Sequence, residues 1–291
     1  MKKIDINNFV SDLGIDIPSK TKFEQLGNAT SLYYDNGDFY KLNFERGILL
    51  YALISKYKPK NIIEFGTAAG FSTLCMAWAL DDNKIDGKIF TIDINSLNEK
   101  QIRPIHFENN KQELKNISIK EIWQKIAKPE WIKKIEILQG YTGEVFNSYN
   151  FPKIDFGYID GAHFYDGVKH DFYSFLTVAS PNFGILFDDY IERKQYGIKK
   201  LLDEIDSEFK ITLIDTDLNR DLLKLKMTQD ENYGMCWLDF YDSNSLSELD
   251  SISDLSNFIK KYRKFETRLR IRSSLNQKIP FLKNIRLSFW K

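Results

Sequence analysis

The stretch "NIIEFGTAAGFST", residues 61–73, is the most informative segment of this 291-residue chain for predicting its fold. An apolar run ends in the acid Glu64. Small residues then alternate at Gly66, Ala68 and Gly70 before a segment with helical spacing begins. Small residues let a backbone turn tightly and approach a ligand, and the first turn of a helix offers unpaired N–H groups to it. The pattern is therefore typical of a strand, a ligand-binding turn and a helix.

Six further short runs have the composition and spacing of strands. With the first they give seven predicted strands, at 61–66, 88–94, 134–140, 154–160, 183–189, 209–215 and 233–240. Helical patterns between the first five predict an α/β fold with a doubly wound, mainly parallel, Rossmann-like sheet and helices on both faces. The last two runs lie closer together, which predicts an antiparallel hairpin at the sheet edge.

The same reading divides the chain into three regions. We predict an N-terminal helical cap at 1–60, a ligand-binding α/β domain at 61–245, and a linker with a basic tail at 246–291. Within the cap, residues 1–43 look helical and then irregular. The segment 95–133 is long for one crossover, so we expect it to add a helix or lid near the ligand.

Apolar runs such as "GILLYALI" and "LCMAWAL" are far shorter than the roughly 20 residues of a membrane span. The first residues, "MKKIDINNFV", lack the apolar centre of a signal peptide, so we expect a cytoplasmic protein. Cys75 and Cys236 have apolar neighbours and no metal-type spacing, which predicts two core residues.

Charge is balanced over the whole chain but not along it. Residues 260–291 hold eleven Lys or Arg and one acid, Glu266, which leaves the rest of the chain acidic. Such a tail can pack across an acidic body, promote self-association, or lie on an anionic membrane surface. We expect packing or assembly, so deletion of 260–291 should leave ligand affinity within a few-fold.

The turn of residues 66–70 discriminates between three candidate ligands, a phosphate, a dinucleotide and a sulfonium cofactor. It lacks the Gly-Lys-Ser/Thr of a phosphate loop, and it reads G-x-A-x-G rather than G-x-G-x-x-G. The acid two residues before Gly66 favours a cofactor with a positively charged aminoacyl end. Asp93, at the end of the second predicted strand, can accept hydrogen bonds from ribose hydroxyls, although dinucleotide sites use an acid there too.

On these residues, and on "YIDGAH" at 158–163 and "DDY" at 188–190, the sequence resembles the class I S-adenosylmethionine-dependent methyltransferases. More narrowly, it is similar to bacterial metal-dependent O-methyltransferases of the macrocin-type and glycan-cluster group, over residues 40–240. Ala68 departs from the middle glycine of the family motif. The resemblance implies S-adenosyl-L-methionine as cofactor, bound by Glu64, Gly66, Thr67, Ala68, Gly70, Ser72, Asp93, Tyr141, Thr142 and Asp160.

The fourth and fifth predicted strands end in acids, Asp160 and the pair Asp188 and Asp189. Parallel neighbours bring such ends together, and carboxylates so close repel one another unless a cation compensates. Oxygen ligands suit Mg²⁺ or Mn²⁺, and the resemblance implies the same three aspartates as metal ligands. His163 follows Asp160 by three residues and is a candidate general base, the alternative being a supporting histidine. One or two of the acids could instead cap helices.

The sequence therefore predicts an O-methyltransferase acting on a hydroxyl of a sugar or glycan precursor. Methylation of a catechol-like or other natural-product acceptor is a second hypothesis, and a catalytically silent cofactor-binding module is a third. We expect no specific nucleic-acid partner, because motifs for methylating exocyclic amines are absent. Self-association and peripheral membrane contact through 260–291 stay open.

Overall fold

The computed structural model describes residues 1–31, 43–106, 112–191, 197–207, 209–216, 233–241 and 254–278. Its strands are β1 (Lys2–Asp5), β2 (Asn61–Phe65), β3 (Lys88–Asp93), β4 (Gln101–His106), β5 (Gln112–Ile117), β6 (Ile135–Gln139), β7 (Ile154–Ile159), β8 (Ala179–Ile191), β9 (Ile211–Asp215) and β10 (Tyr233–Asp239). Its helices are α1 (Ile6–Leu13), α2 (Lys20–Ala29), α3 (Glu45–Tyr57), α4 (Phe71–Asp82), α5 (Ile119–Ile126), α6 (Pro129–Lys133), α7 (Thr142–Ser148), α8 (Tyr165–Val178), α9 (Gly197–Ile205) and α10 (Leu255–Lys278).

Eight strands form one sheet in the order β1-β9-β10-β8-β7-β2-β3-β6. β10 runs antiparallel to both of its neighbours, and the other adjacent pairs are parallel. The doubly wound, mainly parallel Rossmann-like fold is confirmed. The carboxyl ends of β7, β2, β3 and β6 therefore lie side by side at one edge of the sheet.

Alternation along the central strand β2 explains the two layers of core. Ile62 packs into the hydrophobic cluster that contains α3 and α4, whereas Ile63 and Phe65 pack into the cluster that contains α8 and α9. Successive side chains of a strand point to opposite faces, so a nearly continuous apolar run needs cover on both sides. The two cysteines are buried in these clusters and unpaired with each other, as expected.

All seven predicted strands are present, but the predicted number of strands and the predicted edge of the sheet were wrong. Residues 2–5 form strand β1, which pairs with β9, so the sheet has an eighth strand and β1 rather than the β9–β10 hairpin forms its edge. The four-residue run "KKID" gives too short a pattern to predict a strand. The segment 95–133 adds a β4–β5 hairpin as well as helices α5 and α6.

The basic tail forms helix α10, which packs against α7 and α8 of the same chain. None of the helices in the described ranges is long and apolar enough to cross a membrane. Peripheral membrane contact stays a prediction, as do self-association and the three domain boundaries. Residues 279–291 lie outside the described part of the chain.

Phe156 tests the packing of the central sheet. This β7 side chain is fully buried and stacks on Trp237 of β10 at 5.7 Å between ring centroids. We expect Phe156→Ala to lower the free energy of unfolding by about 3–5 kcal/mol, because a cavity remains in the core. Urea denaturation measures this loss. The control Ile137→Ala, on edge strand β6 and 39% exposed, should cost about 1 kcal/mol or less, and equal losses would contradict the assignment of the core.

Candidate active site

The turn between β2 and α4, residues 66–70, adopts a backbone conformation that few side chains tolerate. Gly66, Ala68 and Gly70 have φ angles of 95°, 46° and 87°. A Cβ atom on Gly66 would lie 2.3 Å from the carbonyl oxygen of Asp160, and one on Gly70 would lie 2.1 Å from the ring of Trp123. The turn is therefore held between the end of β7 and helix α5, and glycine is required at both of these positions.

Glu64 lies beneath this turn and is fully buried. Its carboxylate accepts hydrogen bonds from the hydroxyl groups of Ser72 and Thr73 at 2.5 Å and of Thr91 at 2.6 Å. Burial raises the pKa of Glu64 to about 7, although the three hydroxyl donors oppose the shift. The direct contacts of Glu64 thus join β2 to β3 and α4, and its action on a cofactor stays a prediction.

Asp93 is fixed at the carboxyl end of β3. One carboxylate oxygen accepts the backbone N–H of Ala68 at 2.9 Å, and the other accepts the backbone N–H of Asn95 at 2.8 Å. A carboxylate oxygen has more than one lone pair, so Asp93 can still accept hydrogen bonds from a ligand. Asp93 can therefore hold the backbone of the turn and accept hydrogen bonds from a ligand at the same time.

A cavity of about 560 Å³ opens beside the turn. Among the predicted cofactor-binding residues, those that line it are Gly66, Ala68, Asp93, Tyr141, Thr142 and Asp160. The remaining four predicted residues, Glu64, Thr67, Gly70 and Ser72, are not among the lining residues. Thr67 instead contacts Thr91, hydroxyl to hydroxyl, at 2.6 Å, and supports the turn from behind.

Sequence reasoning missed the cavity residues that come from distant segments. Arg103 of the β4–β5 hairpin lines the cavity, as do Tyr262, Glu266 and Leu269 of α10. The length of the segment 95–133 was a signal for Arg103, because it predicts an element near the ligand. For α10 the signal was Glu266, the single acid among the eleven basic residues of the tail, which by itself assigns no role.

The three predicted aspartates do meet, but a residue absent from the sequence predictions lies between them. Arg46, in the first turn of α3, places Nη1 at 3.1 Å from Asp160 Oδ2 and Nη2 at 3.0 Å from Asp188 Oδ2. Asp189 Oδ1 is 3.7 Å from Nη2. A guanidinium therefore compensates part of the carboxylate charge.

Asp188 is the most enclosed of the three carboxylates, at 1% exposed. Besides Arg46, it accepts a hydrogen bond from the Tyr158 hydroxyl at 2.5 Å. Burial raises the pKa of Asp188 to about 7, although the Arg46 charge opposes the shift. These partners oppose a role for Asp188 as a metal ligand, which stays a prediction.

His163 lies against the other two aspartates. Its Nε2 is 3.6 Å from Asp160 Oδ1, and its Nδ1 is 3.6 Å from Asp189 Oδ2. The Asp160 carboxylate raises the pKa of His163 to about 9 against the opposing effect of burial, so the imidazole carries a proton at neutral pH. Potential ligand atoms of Asp160, His163 and Asp189 lie within 4.8 Å of one another, a donor set that can hold a divalent ion.

Residues 63–190 match the family model of a methyltransferase domain. The protein y4gI of Sinorhizobium fredii, an uncharacterized protein, is 24% identical over 147 residues. That alignment covers 50% of this chain and 14% of the relative, so this chain corresponds to a small part of the relative's length.

Two solved structures share the fold. The O-methyltransferase TomG of Streptomyces achromogenes, involved in tomaymycin synthesis and solved with SAM, has a TM-score of 0.52 and 14% identity, covering 81% of this chain and 96% of that chain. An O-methyltransferase of Bacillus cereus, solved with SAH, has a TM-score of 0.50 and 17% identity, and the match covers 80% of this chain and 95% of that chain. At these identities the likeness concerns the fold alone.

The raised pKa of Glu64 predicts a pH-dependent stability. Its pKa in the folded protein, about 7, exceeds its ordinary value of 4.5. The contribution of Glu64 protonation to the free energy of unfolding is therefore complete below about pH 4.5 and is lost as the pH rises through 7. Relative to the Glu64→Gln variant, the wild type should lose up to about 3 kcal/mol of unfolding free energy over this interval. Urea denaturation of both proteins at several pH values measures the difference. A difference that does not change with pH would contradict the raised pKa.

Proposed function

We propose that the chain is a class I methyltransferase, with its methyltransferase domain over residues 63–190, and that it transfers the methyl group of S-adenosylmethionine to a hydroxyl oxygen. The observation that carries this proposal is the position of the cavity. The β2–α4 turn and Asp93 border the cavity, and so does Asp160, which also belongs to the cluster with His163 and Asp189. Asp160 thus belongs both to the proposed cofactor site and to the cluster that can act on a hydroxyl.

The residues present fit the cofactor. The glycine at position 66 and the compact Ala68 would let the turn approach a ligand closely. The Asp93 carboxylate lines the cavity and can accept hydrogen bonds from ribose hydroxyls. The acidic groups of the cavity suit the positive charge of a sulfonium. When bound, S-adenosylmethionine supplies a methyl group activated for direct displacement by an oxygen nucleophile.

The acceptor hydroxyl needs to lose a proton, and the chain offers two routes. Asp160, His163 and Asp189 would hold a divalent ion, which lowers the pKa of a bound hydroxyl and orients it. A histidine in the donor set favours Mn²⁺ over Mg²⁺. Without an ion, His163 becomes a base only after it loses the proton that Asp160 stabilises. Arg46 already balances part of the carboxylate charge, so the metal remains a proposal.

We propose a sugar or glycan precursor as the acceptor. Charged groups that can hydrogen-bond to hydroxyls, Asp160, His163 and Asp189, gather beside the cofactor cavity, which supports a hydroxylated acceptor. Catechol-like acceptors carry adjacent hydroxyls that suit the same groups. A screen for S-adenosylhomocysteine formation with nucleotide sugars, oligosaccharides and catechols, with and without Mn²⁺, tests these acceptors. Cofactor binding without turnover on any of them would favour a silent binding module.

Asp93→Ala tests the cofactor site. We expect the variant to bind S-adenosylhomocysteine about 30-fold more weakly than the wild type, because a charge-assisted hydrogen bond worth about 2 kcal/mol is lost. Isothermal titration calorimetry measures the affinity. Asp86→Ala, an exposed acid before the amino end of β3, is the control and should bind as the wild type does. Tight NAD binding without S-adenosylhomocysteine binding would contradict the proposed cofactor.

Mn²⁺ titration of the metal-free protein tests the ion site. We expect saturable binding that His163→Ala and Asp189→Asn each weaken by more than about tenfold, since each variant removes a ligand. Asp203→Asn, at an exposed pair with Lys199, is the control. If S-adenosylhomocysteine forms at full rate in EDTA, the metal part of the proposal fails and the metal-free route through His163 remains.

A further inference from the structure

Helix α10 forms one wall of the cofactor cavity, although it lies outside the methyltransferase domain of residues 63–190. Tyr262, Glu266 and Leu269 line the cavity at a spacing of four and three residues. Residues with this spacing lie on the same face of a helix. The face of α10 that meets the cavity is thus defined by an aromatic, an acidic and an aliphatic residue.

Glu266 is held at this wall by helix α7. Its Oε2 accepts the backbone N–H of Gly143 at 2.8 Å, one of the N–H groups that the first turn of a helix leaves without an intrahelical partner. A Cβ atom on Gly143 would lie 2.1 Å from that oxygen, so the close approach needs a glycine there. Glu266 is therefore oriented by the backbone that follows Thr142.

The second oxygen of Glu266 has no hydrogen-bond donor among the described residues. His170 Nδ1 lies 3.5 Å from this oxygen, but both ring nitrogens of His170 are buried without a hydrogen-bond partner, and burial lowers its pKa to about 3. His170 is thus a neutral ring that stacks on Tyr262 at 4.4 Å. It does not balance the charge of Glu266.

Glu266 is buried, at 7% exposed, near a second acid that also lines the cavity. Asp171 is 5% exposed and accepts a hydrogen bond from the Thr142 hydroxyl at 2.7 Å. Burial, and then the Asp171 charge, raise the pKa of Glu266 to about 7. The second oxygen of this carboxylate can accept a hydrogen bond, and a ligand N–H group in the cavity would supply one.

The order of the strands indicates which end of the cofactor reaches α10. Asp160 follows β7, Gly66 follows β2, Asp93 is the last residue of β3, and Thr142 follows β6; these four strands are neighbours in that order. With the methyl group beside Asp160 and the ribose on Asp93, the base lies on the side of Thr142 and α10. We propose that Glu266 accepts a hydrogen bond from the 6-amino group of adenine, which makes α10 the element that selects the nucleobase.

This inference rests on the proposed function, because it assumes that the cavity binds S-adenosylmethionine. It also changes the expectation from the sequence, in which removal of the basic tail leaves ligand affinity nearly unchanged. With Tyr262, Glu266 and Leu269 in the cavity wall, α10 becomes part of the binding site.

A comparison of two ligands tests the role of Glu266. S-inosylhomocysteine differs from S-adenosylhomocysteine in carrying a 6-oxo group, which a carboxylate repels. We expect the wild type to bind S-adenosylhomocysteine at least about tenfold more tightly by calorimetry, and Glu266→Gln to reduce this ratio to about threefold or less. Glu144→Gln is the matched control, since Glu144 pairs with Arg270 at the surface. Its ratio should equal that of the wild type.

A second pair of variants decides the matter if Glu266→Gln does not fold. Leu269→Ala, in the cavity wall, should weaken S-adenosylhomocysteine binding about fivefold or more, whereas Ile271→Ala, at a residue 52% exposed on the same helix, should not. S-adenosylhomocysteine should also slow tryptic cleavage within α10 of the wild type.

A wild type that binds neither ligand overturns the proposed function and this inference together. Binding with an unchanged ratio in a folded Glu266→Gln variant, or with Leu269→Ala equal to the wild type, overturns this inference alone.

Discussion

The ion pairs of Arg46 with Asp160 and Asp188 are the interactions on which the carboxylate cluster at β7 and β8 depends. Three carboxylates at the ends of β7 and β8 would repel one another at these distances without a cation. The guanidinium comes from α3, which precedes the first central strand, so one N-terminal helix contributes to this cluster. A buried ion pair contributes little net stability after desolvation, but removal of one partner leaves an uncompensated charge. The ion pairs of Arg46 therefore hold these side chains in position and contribute little to the free energy of unfolding.

This arrangement also changes the argument for a metal ion. The sequence offered three acids and no visible cation, and a divalent ion was the simplest compensation. In the structure, Arg46 and a protonated His163 supply two positive charges to the same group. A metal ion would therefore replace the proton of His163 rather than rescue an unbalanced cluster.

A second buried acid, Glu64, has an analogous structural role at the turn. Its three hydroxyl donors come from β3 and α4, which fixes the strand, the turn and the helix relative to one another. The turn then approaches Asp160 and Trp123 so closely that only glycine fits at positions 66 and 70. The acid of the motif thus contacts the protein's own hydroxyl groups, and this network supports the backbone of the turn.

The order of the α/β elements, the position of the turn and the acids at the strand ends could be predicted without a structure, because hydrophobic periodicity and turn chemistry are local properties. All seven strands and the approach of Asp160 to Asp188 and Asp189 could be predicted in this way. Strand β1 could not, because its four residues pair only where β9 offers an edge. The contacts of Arg46 with Asp160, 114 positions apart, and of Glu266 with Gly143, 123 positions apart, appear only in the folded chain. The physical reason is that contacts between residues so far apart depend on how helices pack on the finished sheet, which leaves no pattern in either segment.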